Sequence, residues 1–411
     1  MRLGIFLTGV NLISGAMGYI FQILMGRMLT TQEYSLFSAI MALQVVITSP
    51  ISAVFAVVSR NVTKSLVGNS GIYLKSSYTK LLKILFVIAL LTLLLAFFFN
   101  SELSDQIKNS EDHQILLLVL IIASSSLGAL NNSFIQGSQS FRSLSFIGLS
   151  TVSLKIILSV ILVGMGIGVD GALLGGLVAT IIANLIGGFF IYLYFSKYEK
   201  LGKYDNQSIF EFSKLPPIII AYISMAVMMQ LDVLIVNNLF ESEKSAIYAV
   251  AATLGKAILY LPGGVVLVLF PMVAEAQERR FKVKEYMINA TLLAFIMCSF
   301  CVIFYWYFSS EIIVILFGEK YINAAELLCY YSIAMLPMAL LVIAEYFLMA
   351  LGKVVFAWLS FIFAPLQMVA IYFFHDSLFD VITIVGISGL LLLICGYIIM
   401  FNIIDISKYH E

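Results

Sequence analysis

The sequence predicts an all-α polytopic membrane protein with about twelve transmembrane helices in two six-helix bundles. Three observations carry that reading. The composition is 62% hydrophobic and only 11% charged, with a mean hydropathy of +1.04, whereas a soluble domain carries about 25% charged residues. Apolar windows of roughly 20 residues, the length that crosses a hydrocarbon core, recur twelve times along the chain. The chain also repeats itself faintly. Setting GRMLTTQEYSLFS (26–38) against VNNLFESEKSAIY (236–248) pairs Leu29 with Leu239, Glu33 with Glu243 and Ser35 with Ser245, and Pro50 falls within two positions of matching Pro262. Two homologous halves of like orientation, six spans each, are a common transporter plan.

In chain order the expected spans are 5–27, 36–58, 82–100, 114–135, 145–165, 171–195, 216–239, 246–272, 287–308, 326–350, 354–374 and 380–403. The first stretch lacks a small-residue cleavage site after a short apolar core, so it reads as a retained span and not a signal peptide. The outer segment NSELSDQIKNSEDHQ (100–114) reads as a solvated turn. The glycine-rich run GIGVDGALLGG (166–176) fits a tight turn with close packing between spans five and six. No GxxxxGK[ST] phosphate loop accompanies it, which argues against transport powered by ATP within this chain. The linker SKYEKLGKYDNQ (196–207) is the natural boundary between halves 1–198 and 199–411. After it, 218–275 forms two apolar segments joined by an acidic turn, with one charge inside each, Asp232 and Lys256. Pro262 and Pro271 punctuate the second. The segment 309–325 has an apolar part too short to span and is expected at the interface before span ten.

Lysine and arginine set the orientation. One side collects 17 of the 23 basic residues, in the loops around 60–83, 197–214 and 279–284, at Arg142 and Lys353 and near both termini, against 4 on the other, namely Arg27, Lys108, Lys244 and Lys320. Both termini are therefore expected in the cytoplasm. The net charge is zero, and no basic stretch interleaved with aromatics suggests a nucleic-acid partner. Cys298 and Cys301 have C-x-x-C spacing, but no second pair completes a zinc site, so no metal is expected and the four cysteines read as small core residues.

The candidate functional residues are the polar groups stranded in apolar spans. Lys155 and Lys256 sit near mid-depth, where a charge costs a few kcal/mol and does not face lipid unpaired. Each belongs either to a cationic cavity for an anionic headgroup or to a structural ion pair, for example Lys256 with Asp232 of the neighbouring helix. Asp232 and Glu345 are candidates for a coupling proton or sodium ion, the alternative for Glu345 being snorkelling toward the interface. Arg27 and Arg60 flank spans one and two and either line the site or anchor helix ends. Asn131, Asn132 and Gln136 in span four suit sugar hydroxyls or another helix.

Several stretches taken together carry a family likeness. Gly26-Arg27-Met28-Leu29 with Glu33-Tyr34-Ser35-Leu36-Phe37, IQGSQSF (135–141), GVDGALLG (168–175), Asp232, Tyr248, Pro271 and LFGEKYINAAELL (316–328) run through nearly the whole chain in order. The sequence thereby resembles the polysaccharide transporters, the Wzx-type lipid-linked oligosaccharide flippases of the multidrug/oligosaccharidyl-lipid/polysaccharide (MOP) exporter superfamily. Ser35 departs from the pattern where the family often has glycine, and Glu345 matches no family hallmark.

The resemblance implies a MATE-like pair of bundles around a central cavity that opens alternately to each side. It implies a non-enzymatic flippase in a bacterial plasma membrane that moves a polyprenyl-pyrophosphate-linked oligosaccharide outward for surface polysaccharide. Cationic residues would hold the headgroup while the lipid tail stays among membrane lipids, energy would come from an ion gradient with no other cofactor, and a polysaccharide polymerase and assembly machinery would be partners. The alternatives are a cation-coupled multidrug or lipid II exporter of the same superfamily, a polytopic polymerase or glycosyltransferase, and a membrane scaffold. The short outer loops argue against catalysis, and a scaffold leaves the mid-depth lysines without a purpose.

Overall fold

A computed structural model describes residues 2–67, 74–198, 215–263, 283–350 and 355–406. The linker between the halves, Pro271 with the end of the eighth expected span, and Arg279, Arg280 and Lys282 lie outside the described residues. Within them the fold is all helix and turn. The helices are α1 (Arg2–Met28), α2 (Thr31–Val67), α3 (Leu74–Phe98), the short α4 (Asn100–Ser104), α5 (Asp112–Gly137), α6 (Phe141–Leu162), α7 (Gly168–Tyr198), α8 (Leu215–Leu239), α9 (Ser242–Gly255), α10 (Val283–Leu316), α11 (Ala324–Ala350), α12 (Val355–Phe373) and α13 (Leu378–Ile406). Each of the twelve expected spans thus has a helix. Among the described residues, nine segments are long and apolar enough to cross a membrane, one of them, 141–196, holding both α6 and α7.

The chain divides into two compact units, Met1–Ile219 and Ile220–Glu411, near the start of α8. In the first unit a core of Phe55, Val58 and Val62 from α2, Leu130 and Phe134 from α5 and Ile191 and Phe195 from α7 gathers the helices. Close approach there depends on glycine. A Cβ on Gly137 would lie 2.6 Å from Val62 Cβ and 2.7 Å from the Ser59 carbonyl oxygen, and the Gly137 carbonyl accepts from Thr63 Oγ1 at 3.0 Å. The GIGVDGALLGG run makes its expected tight turn: α6 widens into one π-helical turn at Val163–Ile167, and Gly166 and Gly168 take φ of +87° and +61°. Those left-handed values suit glycine because they carry a Cβ penalty for other residues. The NSELSDQIKNSEDHQ turn is less solvated than expected. Ser104 and Ile107 are buried, and Ser104 Oγ donates to Asp112 Oδ1 at 2.7 Å.

In the second unit α11 is a central helix: 72% of its apolar window is buried, against at most 33% for the other eight long apolar segments. Segment 309–325 is continuous with the helix before it. Its apolar part continues α10 to Leu316 beyond a break at Phe308 (φ −123°, ψ 17°), and the chain then turns at Gly318 with φ +97°.

Of the two prolines of the repeat, Pro50 lies inside α2 and cannot donate to the carbonyl four residues back, which leaves Val46 O without its backbone donor, whereas Pro262 stands just after the turn at Leu261. In the first unit Ser49 Oγ donates to Val46 O at 2.8 Å. In the second, the backbone tightens into a 3-10 turn at Lys256–Tyr260, Leu261 N reaches Ile258 O at 3.2 Å, and Cys298 Sγ lies 3.9 Å from that oxygen. Cys298 and Cys329 are buried free thiols, as expected of small core residues.

The crowding at Gly137 makes a quantitative test. Gly137→Ala overpacks the α2–α5 contact and is expected to cost about 1–3 kcal/mol, whereas Gly148→Ala, with open space around its Cβ, leaves stability unchanged or raises it. Thermal unfolding of the purified variants measures the difference, and equal transitions would refute the packing account.

Candidate functional site

The most polar arrangement buried in the second unit is built around Asp232. This residue lies two turns before the end of α8, with its side chain 1% exposed. Lys256, the first residue of the 3-10 turn after α9, places Nζ 3.1 Å from Asp232 Oδ1 and 3.3 Å from Gln230 Oε1. On the other carboxylate oxygen, Tyr248 Oη of α9 donates to Oδ2 at 2.9 Å, and Tyr331 Oη of α11 donates to the same atom. The two phenol rings meet edge to face with centroids 5.6 Å apart. Both tyrosines are fully buried. The absence of a side chain at Gly255 lets Tyr331 approach, since a Cβ there would stand 2.5 Å from its Cδ1. Tyr305 Oη of α10 donates to Leu254 O at 3.0 Å, just before the α-to-3-10 change.

The carboxylate therefore has one cation and two hydroxyl donors, all supplied by the protein. Of the two readings open for Lys256, the ion pair with Asp232 is the one formed. A buried pair is costly to desolvate, and removing one partner typically costs about 3–5 kcal/mol because the other is left uncompensated.

Lys155 is different. It lies on α6, half-buried, with Nζ 4.2 Å from the ring centroid of Phe21 on α1. Gly176 on α7 faces its stem, with Lys155 Cε 3.6 Å from where a Cβ would be. No ion-pair partner for it is present among the described residues. A desolvated cation–π contact contributes about 2 kcal/mol or more, which offsets part of the few kcal/mol a charge costs near the membrane centre.

The remaining candidates are placed apart from these two. Asn131 is buried and used in helix packing: it accepts from Tyr78 Oη at 2.8 Å and donates to Asn184 O at 3.3 Å, while Asn184 Nδ2 donates to Ser124 O at 2.7 Å. This ladder joins α3, α5 and α7. Asn132 is half-buried, and its Oδ1 has no hydrogen-bond donor among the described residues. Gln136 is exposed at the end of α5, as are Arg27 in the last turn of α1 and Arg60 on α2. Glu345 is half-buried on α11, and no hydrogen bond joins it to the Asp232 cluster.

Sequence reasoning missed Gln230 and Tyr331. Gln230 stands two positions before Asp232, and Tyr331 is one of many aromatics in apolar spans, so neither carries a local signal. A groove of about 630 Å³ between α11 and α13, lined by Glu326, Tyr330, Pro337, Phe379 and Thr383, contains none of the predicted site residues.

The profile of a family described as "Polysaccharide biosynthesis protein" matches residues 74–326. No curated protein sequence matches the chain. Among solved structures, an inward-facing multidrug resistance MATE family transporter of the MOP superfamily is similar at a TM-score of 0.75 and 14% identity, covering 96% of this chain and 95% of that one. The lipid II flippase MurJ in an inward closed conformation is similar at 0.71 and 14%, covering 96% and 87%. A MOP superfamily transporter from Pyrococcus furiosus, reported with a binding pocket of reverse polarity, is similar at 0.70 and 13%, covering 100% and 96%. The fold is that of these transporters.

The buried pair predicts a thermodynamic coupling. Asp232→Leu and Lys256→Met are each expected to destabilise the protein by about 3–5 kcal/mol, and the double variant by much less than the sum. A double-mutant cycle by denaturation in detergent measures this; additive losses would show that the two charges do not interact.

Proposed function

The chain belongs to the polysaccharide biosynthesis protein family, and from that premise we propose that it is a membrane flippase. Its cargo in this reading is a polyprenyl-pyrophosphate-linked oligosaccharide, moved from the cytoplasmic to the outer leaflet of a bacterial plasma membrane by alternating access. Family membership is the observation that carries the proposal, because it ties the chain to polysaccharide synthesis. The fold shared with a lipid II flippase supports the further step from synthesis to movement of a lipid-linked precursor. No bond is made or broken in that step, so the protein is read as a transporter and not an enzyme. Both termini are assigned to the cytoplasm from the lysine and arginine asymmetry.

The physical task is to carry a pyrophosphate through the low-dielectric part of the membrane, where an unpaired anion costs several kcal/mol or more. Lys155 suits it. Its charge is uncompensated among the described residues, its stem is flexible, and an ammonium follows a moving phosphate as a compact point charge. Asp232 is assigned to ion coupling with a proton or sodium ion, because a carboxylate within a span requires a counter-charge at every stage. Asn132, Gln136, Arg27 and Arg60 are secondary candidates for sugar and phosphate contacts. The second reading is a cation-coupled multidrug exporter, favoured by the similarity to the MATE transporter.

In a deletion strain, Lys155→Ala is expected to reach the membrane at the normal level yet lower glycan export by about tenfold or more, equivalent to at least ~1.4 kcal/mol. Lys155→Arg retains part of the activity. Quantifying lipid-linked sugar that accumulates in the cytoplasmic leaflet checks this. Normal export by Lys155→Ala removes the lysine from the site, and a deletion that alters drug tolerance with no such accumulation favours the multidrug reading.

A further inference from the structure

The Asp232 cluster binds its own cation, and that has a consequence for coupling. We propose that the Lys256 ammonium and a free monovalent cation, a proton or a sodium ion, are alternative occupants of one seat on Asp232, so that entry of the cation releases the lysine. The proposal rests on the flippase reading only for what the released lysine then binds, the anionic headgroup of the cargo.

The seat is described by its atoms. The Nζ position lies 3.1 Å from Asp232 Oδ1 and 3.3 Å from Gln230 Oε1, which are oxygen donors of the kind hard cations prefer. The other carboxylate oxygen is held by the hydroxyls of Tyr248 and Tyr331, so the carboxylate stays fixed whichever cation is present. Lys256 stands 5.9 Å from the Tyr331 ring centroid, at the outer limit of a cation–π contact. Among the described residues, the titratable groups facing Asp232 are Tyr248 from α9, Lys256 from the 3-10 turn and Tyr331 from α11, with Tyr305 of α10 on the neighbouring Leu254 carbonyl. This set contains one anion, Asp232, and one cation, Lys256.

Charge balance then allows only one positive occupant. With the lysine seated, the pocket is neutral. A second cation would leave a net positive charge where ions are expensive, so cation entry and lysine exit are coupled. The backbone provides for movement: Lys256 opens a 3-10 turn between α9 and Pro262, and short 3-10 stretches within helices often mark hinges. The Ile258 and Leu254 carbonyls at this turn accept from Cys298 and Tyr305 of α10, so side chains as well as backbone amides hold its geometry. The freed ammonium can then neutralise an anion, which would make cation binding and headgroup binding mutually supportive at this site.

The experiment uses the full chain purified in detergent. Sodium-22 binding at fixed pH and proton uptake in sodium-free, weakly buffered solution are measured without any lipid for wild type, Lys256→Met, and the double variant Lys256→Met/Asp232→Asn. Wild type is expected to take up little of either cation. Lys256→Met takes up a stoichiometric amount of one of them, identifying which, and the double variant loses it. Lys256→Gln, whose amide can still hydrogen-bond Asp232, serves if Lys256→Met does not fold. Folded lysine variants that take up neither cation would overturn the proposal, as would uptake that survives Asp232→Asn. A separate arm adds geranylgeranyl pyrophosphate to wild type, where binding is expected to draw in the same cation. Failure of that lipid to bind wild type counts against the flippase reading alone, whereas binding without cation uptake counts against the exchange.

Discussion

A charge placed within a membrane span has no water to solvate it, and that constraint shapes both units. In the second unit it is met by closure. Gln230 and Asp232 on α8, Tyr248 on α9, Lys256 after it and Tyr331 on α11 come together through contacts of 2.9 to 3.3 Å and the Tyr331 hydroxyl. The surrounding sequence follows from this need. Gly255 leaves room for the Tyr331 ring, the 3-10 turn delivers Lys256 to the carboxylate, and Cys298 and Tyr305 support the carbonyls at that turn. Changing any one of these alters how well a single carboxylate is compensated.

The first unit meets the same constraint with neutral groups. Tyr78, Asn131, Asn184 and Ser124 form a hydrogen-bonded ladder that joins three helices without any formal charge. Lys155 stands apart from it, set against the Phe21 ring with no ion-pair partner among the described residues. A structural lysine would be expected to have an acidic neighbour, as Lys256 does. The contrast between the two lysines is the physical basis for assigning Lys155 to cargo and Lys256 to an exchange with the coupling cation.

The helices were legible in the sequence because lipid demands runs of apolar residues, and such runs need no long-range information to recognise. Their ends were less so. α2 runs to Val67, nine residues past its expected end, because RNVTKSLV remains helical after it ceases to be apolar. The turn after α3 folds back on α5 through Ser104 and Ile107, which composition alone read as solvent-facing. At the site, Asp232 and Lys256 stood out as isolated charges, and their pairing was one of two readings the sequence left open. Tyr331 and Gln230 did not stand out, since their roles arise only when helices distant in sequence are packed together. Asn131 was visible as a polar residue, but its choice between sugar and helix depends on Tyr78 and Asn184, more than fifty residues away on either side.

A family tied to polysaccharide synthesis, a transporter fold and two lysines in opposite electrostatic situations together support the proposed movement of a lipid-linked glycan across the membrane. The most direct measurement is in sealed proteoliposomes containing the purified chain and a polyprenyl-pyrophosphate disaccharide, with outer-leaflet sugar followed by a membrane-impermeant lectin or glycosidase. The account predicts that the protein makes the inner-leaflet pool accessible, that an imposed proton or sodium gradient changes the rate, and that protein-free vesicles show neither effect. An inner-leaflet pool that stays protected in protein-containing vesicles, with or without a gradient, would contradict it.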